Sequence, residues 1–138
     1  MPNGIDLVLA DHRRVDALFA KFNENPLGTY AGMIFDSLAA HDDAENGALY
    51  PLALGLLGDA ALLERAETAH SQVKKLIDHA KNLEGQPLVD VMAMLQAAVE
   101  AHVQDEEKNL LPQIESRASA AQLEGLSARW EQIKQRVG

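Results

Sequence analysis

Five stretches of this chain place apolar residues at steps of three and four, and none alternates apolar with polar residues, so the sequence is built to make helices. The first stripe, Ile5, Val8, His12, Val15, Phe19 and Phe22, predicts a helix from Gly4 or Ile5 to about Asn23, followed by a turn at Asn25-Pro26-Leu27-Gly28. The second reads Ile34, Leu38, His41, Glu45, Ala48 and Leu52. Gly47 and Pro51 weaken it, so a kink or stop is expected there, before a glycine-rich crossing at Gly55 and Gly58-Asp59. A third helix, about Ala60 to Asn82, carries Leu63, Glu67, His70, Val73 and Ile77 on one side and stops at Glu84-Gly85-Gln86-Pro87. The fourth, from Pro87 or Leu88 to Pro112 or just beyond, turns Leu88, Val91, Leu95, Val99, His102, Glu106 and Leu110 inward and is expected to be the longest and most regular. Ser119 reads as the cap of a fifth helix, whose stripe of Leu123, Leu126, Trp130, Ile133 and Val137 is expected only to pack against the rest. With short loops the economical arrangement is all-α: an up-down-up-down four-helix bundle over about residues 4–116 and an additional C-terminal helix over about 119–137, together one domain spanning 1–138.

Polar residues interrupt these inward stripes in a repeated way. His41 is followed by Glu45, Leu49 and Pro51, and His102 by Glu106, Leu110 and Pro112, with the same spacings of four, eight and ten. At about 100° per residue, a histidine and a glutamate four apart point within about 40° of each other. His12 and His70 each precede one of these segments by roughly a helix and a turn, so the chain reads as two similar helical hairpins, each contributing two imidazoles and one carboxylate. A purely structural core would not collect these groups. Burying six of them uncompensated costs several kcal/mol per ion, whereas a metal neutralises the carboxylates and uses the imidazole lone pairs. His12, His41, Glu45, His70, His102 and Glu106 are therefore the candidate metal ligands. Asp16, four residues after His12, reads as a surface group or a hydrogen-bond partner to an imidazole, and His79, about 180° around the helix from His70, as solvated.

Composition narrows the chemistry. The absence of cysteine excludes disulfides, thiolate metal sites and thiol nucleophiles, so any metal is held by nitrogen and oxygen. Twenty-one acidic against twelve basic residues give a net charge of −9, which disfavours nucleic acid and anionic membrane surfaces. The opening residues carry no basic leader, and no apolar run is long enough to span a bilayer, so a cytoplasmic location is expected.

The segments His41-Asp42-Asp43-Ala44-Glu45 through Tyr50-Pro51 and His102-Val103-Gln104-Asp105-Glu106-Glu107 through Leu111-Pro112, with His12 and His70 ahead of them, resemble the hemerythrin-like (HHE cation-binding) family over residues from about 5 to 115. That resemblance implies a four-helix bundle around two iron ions bridged by an oxo or hydroxo group and two carboxylates. His12 and His41 would serve one iron, His70 and His102 the other, and Glu45 and Glu106 would bridge them. Oxygen-carrying members have a second histidine one turn along the third helix, where this chain has Lys74. Glu67 is a candidate replacement. Tyr50 would lie about 140° off the ligand face and reach it only if the helix is kinked at Gly47. With neither, both irons would keep an open position, walled by Leu49 and Leu110.

The expected function is a non-haem di-iron protein that binds or consumes a small oxidant, namely oxygen, peroxide or nitric oxide. Two open positions would favour turnover over clean oxygen carriage. The rivals are an iron- or oxygen-responsive sensor that acts through a protein partner, and a structural bundle with hydrogen-bonded core histidines.

Overall fold

Asn3 opens the first helix with a reciprocal cap, its side chain accepting from the Asp6 amide while the Asp6 carboxylate accepts from the Asn3 amide, each at 3.1 Å. The computed structural model describes residues 3–137, the last by its backbone alone, so the side chain of Val137 lies outside the described residues. Helix α1 (Gly4–Glu24) is followed by α2 (Gly28–Ala44), α3 (Tyr50–Leu57), α4 (Ala60–Ala80), α5 (Gly85–Asp105), α6 (Leu111–Arg117) and α7 (Ala120–Val137). There is no strand among the described residues. Gly58, at φ +61°, gives α3 its left-handed stop. Ser119 caps α7 as expected, accepting from the Gln122 amide at 3.1 Å.

The kink expected at Gly47 and Pro51 takes the form of a π turn, and the fourth helix, expected to be regular, has one at the matching place. Neither helix stops at its proline. Each passes through one π turn, Glu45–Leu49 between α2 and α3 and Glu106–Leu110 between α5 and α6, with the amides of Tyr50 and Leu111 bonded to the carbonyls of Glu45 and Glu106. The fourth helix is therefore not regular, and it begins at Gly85, ahead of Pro87. Only one π turn contains a glycine, but each is followed within two residues by a proline, Pro51 or Pro112. A proline lacks the amide that would close the preceding α turn, and its ring crowds the carbonyl four residues back, which a widened turn relieves.

Helix α1 packs on α2 and α4 on α5, while α7 lies against α1, α2 and the first π turn. Two apolar clusters fill the interior. One gathers Val15, Phe19, Phe22, Ile34, Leu38, Leu95 and Val99; the other gathers Ile5, Val8, Leu49, Leu110, Ile114, Leu126 and Trp130. The candidate ligands His12, His41, Glu45, His70, His102 and Glu106 fall between them along the helices.

Candidate metal centre

The structure brings all six sequence-derived candidates together. One donor atom from each of His12, His41, Glu45 and Glu106 lies within 4.8 Å of the others, and the same is true of Glu45, His70, His102 and Glu106. The two sets share both glutamates, which are 0% and 3% exposed. In the first set, His12 Nε2 stands 3.2 Å from Glu106 Oε1 and His41 Nε2 stands 3.1 Å from Glu45 Oε2. All four of these atoms are buried without a hydrogen-bond partner. A buried donor or acceptor left unmade costs about 1–3 kcal/mol, so four converging at one point fit a cation that accepts their lone pairs.

The second set is arranged around Tyr50. Its hydroxyl lies 2.6 Å from Glu106 Oε2, 2.8 Å from His70 Nε2, 3.1 Å from Glu45 Oε1 and 3.3 Å from His102 Nε2. The π turn puts it there. An i to i+5 turn brings the residue five beyond Glu45 round to the glutamate's face, where an α turn would swing it away. The matching residue five beyond Glu106 is Leu111, buried and without a donor atom. The two halves of the site are thus unequal, in place of the two equally open halves expected.

Three carboxylates stand behind the imidazoles. Glu107 lies 2.7 Å from His12 Nδ1, Asp11 lies 3.0 Å from His41 Nδ1, and Asp42 is bonded to His70 Nδ1. Such partners fix the ring so that Nε2 faces the centre. Each is adjacent in sequence to a candidate ligand but serves an imidazole on another helix, which a one-dimensional pattern does not reveal. His102 Nδ1 has no partner.

The electrostatics follow from this geometry. For His41, burial opposes the charge, but Glu45 and Asp11 outweigh it and push its pKa up to about 10. His102 is likewise buried yet held at about 10 by Glu106 and Glu45, and His70 at about 9 by Asp42 and Glu45. Glu45, despite complete burial, is held well below the usual carboxylate range, chiefly by His41. Burial and the two glutamates push the Tyr50 phenol upward, so without a cation it stays protonated.

Helix α7 does more than pack. Lys134 Nζ lies 2.7 Å from Asp11 Oδ2, the oxygen that also meets His41, and the Trp130 ring sits edge-on to His41 at 5.3 Å between centroids. Ile133 fills the space beside Gly47, where an added Cβ would meet its Cδ1 at 2.5 Å. Among the remaining sequence candidates, Glu67 is exposed and belongs to neither set, so it does not replace the missing histidine. Asp16 is an exposed partner of Arg13, and His79 is exposed as expected. Lys74 borders a cavity that reaches the histidines, while Leu49 and Leu110 are absent from its walls and are packed in the second apolar cluster.

A helical bundle that closes two histidine–glutamate sets around shared carboxylates defines a class of cation-binding helical proteins. Residues 3–114 match the family described as Hemerythrin HHE cation binding domain, and the chain belongs to that family. Helix α7 lies beyond the matched residues. A crystal structure of a hemerythrin HHE cation binding domain-containing protein from Mycobacterium kansasii has the same fold, with a TM-score of 0.82 and 21% identity over 99% of this chain and 90% of that one. A DNA nickase from Nostoc sp. is 26% identical over an alignment 138 positions long, which covers 96% of this chain but 39% of that protein. This chain thus spans well under half of that relative's length.

Proposed function

We infer that His12, His41, Glu45 and Glu106 hold one iron ion and His70, His102, Tyr50 and the same two glutamates a second, within a single domain that handles a small oxidant. Iron there would supply one-electron redox steps and coordination for oxygen, peroxide or nitric oxide. The chain's own groups orient the imidazoles through Glu107, Asp11 and Asp42 and exclude bulk water with the flanking apolar clusters. Tyr50 adds an oxygen donor to one half, and Leu111 leaves the other without one, so the His12–His41 half is the place for an exogenous ligand. The observation that carries this reading is the set of four buried, unpartnered donor atoms.

The net charge of −9 speaks against nucleic acid as a partner. No described helix is long and apolar enough to cross a membrane. A second reading, a sensor signalling through a partner protein, is favoured by the Lys134–Asp11–His41 chain, which ties α7 to the site. Pull-down with and without iron separates the two.

The test is the metal-to-protein ratio and visible spectrum of aerobically purified protein. Two irons with the absorption of a bridged diferric pair are expected, and Glu45→Gln or Glu106→Gln should lose metal while His79→Ala keeps it. Equal metal loss in all three variants would overturn the assignment.

A further inference from the structure

The cavity that reaches the histidines is larger than a diatomic oxidant requires. It holds about 250 Å³ and opens between α2 and α4, two helices that make few direct contacts with each other. Its inner end is polar, formed by His12, His41, Glu45, His70 and His102. Directly above lies a ring of Val15, Leu38, Val73 and Val99, each three residues from one of the four histidines. Phe35 and Ile77 continue the walls six and seven residues from His41 and His70, about 10 Å along the helices at 1.5 Å per residue. Metal ions between the imidazoles account for the inner end alone and leave the apolar stretch above it unexplained.

We propose that this cleft binds an uncharged, chain-like organic molecule of about ten non-hydrogen atoms, with its single polar end at the histidines and its apolar chain along Val73, Leu38, Phe35 and Ile77. The size follows from comparison: an apolar cavity of about 150 Å³ takes up benzene, and drug-sized sites begin near 300 Å³. The absence of charge follows from both ends: at the rim Asp42, Asp43 and Asp78 outnumber Lys74 and Lys81 in a chain of net charge −9, which disfavours anions, and at the inner end the imidazoles that would hold metal cations disfavour a cationic end group. The orientation follows from the walls, whose Val73, Leu38, Phe35 and Ile77 separate the polar inner end from the charged rim. The proposal rests on the metal reading only for what the polar end meets; the apolar walls stand without it.

The experiment titrates straight-chain primary alcohols from butanol to decanol into metal-loaded and metal-free protein by calorimetry. Affinity should rise about threefold to fourfold per added methylene and level off once the chain fills the cleft. Two variants test the place: Val73→Trp fills the wall, and Ala39→Trp, at an exposed rim position, covers the mouth without touching the core. Both should abolish the dependence on chain length while the Ala39 variant keeps the wild-type metal content and melting temperature. Affinity that does not change with chain length, or that survives unchanged in the Ala39 variant, overturns the proposal. Chain-length dependence in protein that takes up no metal supports the cleft and sinks the metal reading instead.

Discussion

At the scale of residues, Tyr50 and Asp11 carry the sharpest consequences. Tyr50 places one oxygen among four donor atoms of the second set. Tyr50→Phe keeps the ring and removes only that oxygen, so the second iron should bind at least tenfold more weakly while the first is retained, and any phenolate-to-iron charge-transfer band should vanish. Stepwise chelator competition followed by the visible spectrum measures both. Two irons released together at the wild-type concentration would remove Tyr50 from the site. Asp11 acts at one remove, joining His41 to Lys134. Asp11→Asn should lower metal affinity by about 10- to 100-fold, the usual cost of losing a carboxylate behind a ligating imidazole. Affinity unchanged in the same competition assay would reduce Asp11 to a buried ion-pair residue that only packs α7 against the bundle.

At the scale of elements, the π turns decide what the helices present. The inward stripes and the His-to-Glu spacing were legible because they obey the α-helical period, and Ser119, Asn25-Pro26 and Gly58 mark their boundaries by ordinary cap and turn chemistry. Tyr50 was legible only conditionally, since its role depends on a turn with a different period. The recurrence of a proline ten residues after His41 and again after His102 was the available sign of it. Pro51→Ala should test this directly: with the amide restored and the ring gone the segment can close as ordinary α turns, and Tyr50 then falls about 140° from Glu45, off the ligand face. The substitution should reproduce the Tyr50→Phe loss of the second iron while leaving helix content by circular dichroism unchanged. If the second iron still binds as in the wild type, the π turn does not deliver the tyrosine.

At the scale of the whole molecule, a bundle folds around charges that only a cation fully satisfies, and α7, which its apolar stripe marked as a packing helix, closes over them through Trp130 and Lys134. Those two contacts depend on which helix faces which, so no spacing rule exposed them. The same arrangement sets a pH dependence whose sign differs between the metal-free and loaded protein. In the metal-free protein His41 and His102 are raised from 6.5 to about 10 and His70 to about 9. A raised histidine contributes stability that is fully present below its unfolded value and lost as pH climbs through the folded one, so metal-free stability should decline between about pH 6.5 and 10. Glu45, depressed in the fold, works in the other direction and withdraws its contribution only as pH falls below about 4.5. Loading requires neutral imidazoles, so at pH 7 to 8 it should release at least the three protons held by His41, His70 and His102, and apparent metal affinity should rise with pH. The melting-temperature gap between loaded and chelator-treated protein should therefore widen from pH 6.5 to 9. Thermal scans across that range at fixed free metal, paired with proton release in weak buffer, measure both quantities. A gap that stays constant, with no protons released on loading, would mean that these imidazoles do not ligate the metal.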